Sequence, residues 1–132
     1  MGTFKDTEEA REYFRGDRFA MAAGIQLDEL TDEYSEASMT LGDIHLNANG
    51  GIMGGAIFTL ADFAFAALSN NIHKPTVAQQ VSVNYLGAPK GTRLIARAAV
   101  KKDGSRTTVI NVDVTDDTGR AIAQFIGSGF KL

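Results

Sequence analysis

Apolar and polar positions alternate with two different periods along this chain, and one long apolar block separates them. Residues Thr7 to Phe14 carry Glu8, Glu9, Arg11 and Glu12 beside Ala10, Tyr13 and Phe14. That spacing predicts a short amphipathic helix, N-capped by Thr7 and ending near Gly16. The stretch "GIQLDEL" predicts a strand, and Thr31 to Glu33 a turn. Ser35, Ala37, Met39 and Leu41 then alternate with Glu36, Ser38 and Thr40, the pattern of a strand with one buried face.

Ala56 to Leu68 is long for a strand and rich in Ala, Leu and Phe, so it predicts a helix. It is apolar almost all round and should be buried on most sides. The polar cluster "SNNIHKP" is expected to stop it. Four strands follow. Val77 to Tyr85, Leu94 to Lys101 and Thr108 to Val114 each alternate with period two, and Ala121 to Phe130 closes the chain. Asp103-Gly104 and "DDTGR" are the turn signals between them. Alternation of this kind suits an antiparallel sheet with one wet face. A helix that is apolar all round needs such a sheet curled about it, so the expected class is α+β.

Bulk properties narrow the function. The chain has 132 residues, enough for one domain spanning 1–132 with a real core. Its formal net charge of −3 gives no basic excess and argues against a nucleic-acid partner. There is no cysteine, which removes thiol catalysis, disulfides and thiolate metal sites and fits a reducing compartment. The N-terminus is charged, without the apolar run of a signal peptide, and Ala56 to Leu68 is too short to span a bilayer. A cytoplasmic protein with no membrane partner is expected.

One ionisable residue, Asp62, interrupts the apolar block. Four glycines, Gly50, Gly51, Gly54 and Gly55, precede it. They fit neither a phosphate loop nor the dinucleotide fingerprint. Gly50 and Gly51 read as turn residues. Read alone, Asp62 is as well explained by a helix-surface carboxylate paired with Lys or Arg as by a catalytic group.

The order of elements and the segment "HLNANGGIMGGAIFTLAD" carry a resemblance. The chain resembles the hotdog fold, and more closely the PaaI-type acyl-CoA thioesterases. The family pattern is an Asn, a Gly-rich turn, His-Gly-Gly, then an Asp or Glu eight residues after the first of those glycines. The matching positions are Asn47, Met53-Gly54-Gly55 and Asp62. "YFRGDRFAMAAGIQL", "VNYLGAP" and "KKDGSRTTV" are similar to other family segments, so the likeness covers nearly the whole chain. The family His is Met53 here, which bears on rate and substrate range rather than on fold.

The resemblance implies hydrolysis of an acyl-CoA to a carboxylic acid and coenzyme A, without metal or cofactor. Thioester attack puts negative charge on the carbonyl oxygen, so the site needs a donor there and a base or nucleophile at the carbon. The N–H of Gly54 is the expected donor, with that of Gly55 as a second candidate, and glycine there lets an acyl group approach the backbone closely and allows unusual φ values. Asp62 is the expected base or nucleophile. Asn47 is either a turn residue or a group fixing the loop or the attacking water. One of Gln79 and Gln80, on opposite strand faces, is implied to approach Asp62. Arg106, Thr107 and Lys90 are the candidates for the coenzyme phosphates, within a basic group that includes Arg93, Lys101 and Lys102. Phe58, Phe63 and Phe65 are expected in the core, with one free to line an acyl pocket. His45 and His73 are expected at the surface.

Gly54 and Asp62 lie eight positions apart on one helix, about 12 Å at the usual rise. One thioester carbonyl cannot meet both in a single chain. A second copy with its helix antiparallel can supply the other group, so a homodimer is expected, further paired as a dimer of dimers. Two other readings stand beside this one. A non-catalytic acyl-thioester binding protein is suggested by Met53. A hotdog hydratase or dehydratase would need a His beside the carboxylate, and none matches.

Overall fold

A computed structural model describes residues 2–132. The elements are α1 (Thr7–Phe14), α2 (Arg18–Ala22), β1 (Ile25–Leu30), β2 (Tyr34–Thr40), α3 (Gly54–Ile72), β3 (Thr76–Tyr85), β4 (Arg93–Asp103), β5 (Thr107–Asp116) and β6 (Ala121–Lys131). The six strands form one sheet in the order β1-β2-β4-β5-β6-β3, with every neighbouring pair antiparallel. The sheet packs around α3, which meets every strand.

Small residues let the helix sit close to the sheet. Ala37, Ala96 and Ala98 are wholly buried on β2 and β4. On β6 a Cβ at Gly127 would stand 2.8 Å from the Phe65 ring, so only glycine leaves room for that side chain. Leu60, Leu68 and Phe65 are sealed from solvent, each worth about 1.5–3 kcal/mol of apolar burial. Ser35 ties β2 to the middle of α3 by donating its hydroxyl to the Ala64 carbonyl at 2.7 Å.

Two local expectations change near the N-terminus. The N-cap of α1 is Asp6, whose carboxylate accepts from the Glu9 N–H at 2.9 Å. Thr7 instead turns its hydroxyl to β1, where it accepts from the Leu30 N–H at 3.1 Å. A short second helix, α2, follows where only a glycine break was expected.

The polar cluster does not stop α3 at Leu68; the helix runs on to Ile72. Asn70 and Asn71 are buried because their amides serve other segments. Asn70 accepts from the Thr76 N–H at 3.0 Å and donates to the Ala66 carbonyl at 2.9 Å. Asn71 accepts from the Phe4 N–H at 3.1 Å and donates to the Thr31 carbonyl at 3.1 Å. At nineteen residues α3 is long and apolar enough to cross a membrane by composition, yet eleven of its residues are buried, as in a core helix.

The two sheet edges differ. On β1, Arg11 donates to the Leu27 carbonyl at 2.6 Å and the Asp28 carbonyl at 2.9 Å, and α1 packs alongside. On the other side of the sheet, β3 pairs with β6 alone along ten residues, and Val77 and Tyr85 are exposed.

Candidate active site

The loop before α3 is built by two side chains. Asn47 accepts from the Asn49 N–H at 2.9 Å and the Gly51 N–H at 3.1 Å. Gly50 closes this turn at φ 81°, a left-handed conformation that favours glycine. The Asn47 side-chain oxygen is therefore spent on shaping the loop. His45 is buried, against the surface position expected for it. Its Nδ1 accepts from the Gly42 N–H at 3.0 Å, so Nε2 carries the hydrogen and donates to the Ala23 carbonyl at 2.7 Å. The His45 carbonyl then receives the Met53 N–H at 2.8 Å, which delivers Met53 to the start of α3. His73 is half-buried, with Nε2 2.9 Å from the Leu132 carbonyl.

Gly54 is the first residue of α3, and Met53 is its N-cap, with no side-chain cap bond. Among the described residues no acceptor is bound to the Gly54 or Gly55 N–H, as the opening turn of a helix requires. These donors, with the partial positive charge of the helix end, suit an oxyanion. Gly54 does not use a positive φ, which removes one of the two reasons expected for glycine there. The reason is a close approach: a Cβ would lie 3.1 Å from Tyr85 Cζ, and the Tyr85 hydroxyl donates to the Gly54 carbonyl at 3.0 Å. Tyr85 was not singled out in the sequence, where it reads as one more alternating strand residue.

Asp62 sits one turn beyond Phe58 on α3 and is half-buried. Among the described residues it forms no ion pair, so the surface-pair explanation fails. Burial raises its pKa above the usual carboxylate range, and the nearby Asp17 charge adds to the rise. Asp62 and Asp17 face one cavity of about 300 Å³ whose walls include Phe19, Phe58, Thr59 and Phe63. A second cavity of about 480 Å³ shares Phe19, Phe58 and Thr59 and runs to Met53, Gly55 and Ile44. Its lining is mostly apolar, and Met53 is half-exposed at the helix start. Of the three phenylalanines of α3, Phe58 lines both cavities, whereas Phe65 packs on Phe125 in the core and Phe63 lies against Phe14.

Other expected groups are not brought here within one chain. Gln79 donates to Ser128 Oγ at 3.0 Å, and Gln80 lies over the Val81 carbonyl at 3.4 Å; neither touches Asp62. A bulge between Ala78 and Gln80 also breaks the simple alternation expected of β3.

The basic group is divided. Arg106 and Thr107 lie at the β4–β5 hairpin, with Lys101 and Lys102 on the strand leading into it. Lys90 and Arg93 lie at the opposite end of β5, beside Asp116 and Asp117. Asp116 is buried there and accepts from the Lys90 N–H at 2.7 Å, the Gly91 N–H at 3.0 Å and the Arg120 N–H at 3.1 Å. The Thr118 hydroxyl, at 2.6 Å, is the main cause that holds its carboxyl well below the usual range, and those N–H groups add to it.

The Thioesterase superfamily profile matches residues 49–123, from the glycine loop through α3 into β6. The chain belongs to this superfamily. A protein of Archaeoglobus fulgidus, described only at the level of an esterase, is 30% identical to this thioesterase over 127 residues, covering 95% of this chain and 82% of its own. The acyl-coenzyme A thioesterase PaaI of Escherichia coli is 27% identical over 97% of this chain and 92% of its own. The solved structure of that PaaI protein superimposes with a TM-score of 0.88 over 95% of this chain and 91% of its own, at 26% identity. A protein of Streptococcus pneumoniae described as a hypothetical thioesterase, solved with coenzyme A, matches with a TM-score of 0.81 at 26% identity, over 89% of this chain and 94% of its own. With its sheet wrapped around α3, this thioesterase is of the PaaI-type hotdog kind.

Proposed function

We propose that this protein is a cytoplasmic acyl-CoA thioesterase whose two sites each draw on two subunits of a homodimer. The observation that carries the reading is that, among the described residues, the half-buried Asp62 is unpaired on the same helix whose first turn offers free N–H donors at Gly54 and Gly55. In this scheme the acyl group lies along the apolar cavity beside Met53, Gly55 and Phe58. The thioester oxygen receives the Gly54 N–H of one subunit. Asp62 of the other either takes a proton from water as its oxygen attacks the carbonyl carbon, or attacks that carbon itself. The C–O bond forms, the C–S bond breaks, and the thiolate leaves and is protonated as free coenzyme A. After direct attack, water then cleaves the acyl–Asp62 anhydride, which releases the carboxylic acid and restores the Asp62 carboxylate. An oxyanion donor of this kind is worth about 10²–10³ in rate.

Two features support the second copy. Gly54 and Asp62 are separated by eight residues of continuous helix, about 12 Å. Among the described residues the outer edge of β3 is long, unpaired and partly apolar, which favours pairing with another chain, whereas Arg11 and α1 guard the β1 edge. Arg106 and Thr107 are proposed for the coenzyme phosphates. Lys90 stands at the other end of β5, so the two ends cannot serve one nucleotide from a single chain.

The test is release of free thiol from a panel of aryl, short-chain and long-chain acyl-CoA esters, with Asp62→Asn as control. Turnover of at least one ester that is lost in Asp62→Asn supports the reading. Met53, lacking a hydrogen-bond donor at the loop, favours a second reading: saturable acyl-CoA binding with no thiol release would mark a binding protein.

A further inference from the structure

Asp17 stands at the N-cap position of α2, yet its carboxylate makes no cap hydrogen bond. Asp6, in the same position on α1, does spend its carboxylate on the helix. An N-cap aspartate normally gives its oxygen to the N–H groups of the first turn. Asp17 instead lines the cavity that holds Asp62, and its charge is felt there.

The cavity that these two groups share is also lined by Phe19, Phe58 and Phe63. Apolar walls lower the local dielectric and strengthen the interaction of two like charges. Arg18 is the other charged residue of this cavity, and among the described residues no ion pair joins it to either carboxylate. From α1, Arg11 and Arg15 line a separate cavity on Phe63, and each is paired with a glutamate, Glu8 and Glu12. The charge facing Asp62 from across its cavity is therefore chiefly that of Asp17.

We propose that Asp17 is a positioning residue for thioester hydrolysis: its negative charge acts on Asp62 across their shared cavity and sets the pH range in which Asp62 works. The proposal rests on Asp62 being the base or nucleophile. Burial already disfavours the ionised form of Asp62, and the Asp17 charge disfavours it further. A carboxylate that is harder to ionise is a stronger base once ionised. Asp17 thus trades activity in acid for basicity near neutral pH. Burial also raises the Asp17 pKa.

The experiment is the pH profile of kcat/KM for wild type, Asp17→Asn, Asp17→Ser and Asp17→Glu, on whichever acyl-CoA turns over. Asn and Ser are neutral and are both good N-cap residues, so the result does not hang on one variant folding. In both, the acidic limb should move to lower pH. One pH unit below the wild-type midpoint, each should keep at least about twice the wild-type fraction of its own plateau rate. Asp17→Glu should keep the wild-type limb. A merely structural role would lower the plateau without moving the limb. An unmoved limb in folded Asp17→Asn and Asp17→Ser, with Asp62→Asn inactive, overturns the proposal. Loss of activity at every pH in both folded variants also overturns it, because Asp17 would then carry a chemical step itself. Full activity in Asp62→Asn overturns the reading beneath, and the proposal with it.

Discussion

The Tyr85 hydroxyl donates to the Gly54 carbonyl at 3.0 Å, and its ring stands where a Cβ on Gly54 would meet Cζ at 3.1 Å. Strand β3 therefore holds the first residue of α3, and a bare backbone there is what the contact requires. A methyl at Gly54 must displace the ring by a few tenths of an ångström. Gly54→Ala should cost more stability in the wild-type background than in Tyr85→Ala. The expected coupling is about 0.5–1.5 kcal/mol in a double-mutant cycle measured by urea unfolding. Strict additivity would show that the ring does not restrain Gly54.

Asp62→Asn should trade stability against activity. The folded-state pKa of Asp62 is raised, chiefly by burial and then by Asp17. A raised carboxylate favours the folded state below its unfolded pKa near 3.8, and that contribution is lost as pH rises through the folded value. At neutral pH the ionised group therefore weighs against folding. Asp62→Asn should unfold at a higher temperature than wild type at neutral pH, with the gap closing below about pH 4. Its thioester turnover should fall by at least about a hundredfold. Thermal melts across pH, beside thiol-release assays, check both halves.

Subunit mixing tests the shared site. Gly54→Pro removes the proposed oxyanion N–H, and proline is accepted at the first helical position when φ is not positive, as here. Asp62→Ala removes the carboxylate. Each homodimer carries one lesion in both sites and should be inactive. A mixed dimer has one doubly damaged site and one intact site. Random re-pairing of equal amounts makes half the dimers mixed, so about a quarter of wild-type activity should return. No recovery in verified mixed dimers of two folded variants would rule out the cross-subunit arrangement.

Asp116 should govern acid stability. Its pKa is lowered, first by the Thr118 hydroxyl and then by the N–H groups of Lys90, Gly91 and Arg120. A lowered carboxylate contributes stability above its unfolded pKa near 3.8 and loses it as pH falls through the folded value. Asp116→Asn should melt at a lower temperature than wild type at neutral pH, and the difference should shrink in acid below pH 3.8. Circular-dichroism melts from neutral pH downward measure this. A constant offset at every pH would mean that packing, not charge, is what the substitution removes.

Most of the architecture was legible in the pattern of apolar and polar positions. Period-two alternation marks a half-buried strand within a few residues, and the apolar block at Ala56 to Leu68 can only be a core helix if a sheet surrounds it. The spacing of Gly54 and Asp62 was equally plain, because a helix converts eight residues into a length. Tertiary structure decided what no local pattern encodes, namely where each polar group finds its partner. Asn70 and Asn71 look like helix breakers but are buried, because Thr76, Phe4 and Thr31 meet their amides. His45 looks exposed until Gly42 and Ala23 close on its ring. Lys90 and Arg106 look like one basic cluster until β5 holds them at its two ends. Asp17 carries no signal in the sequence, and only the packing of α2 against α3 puts it on the cavity of Asp62. Burial and electrostatics depend on distances in space between residues far apart in the chain, and folding alone sets those distances.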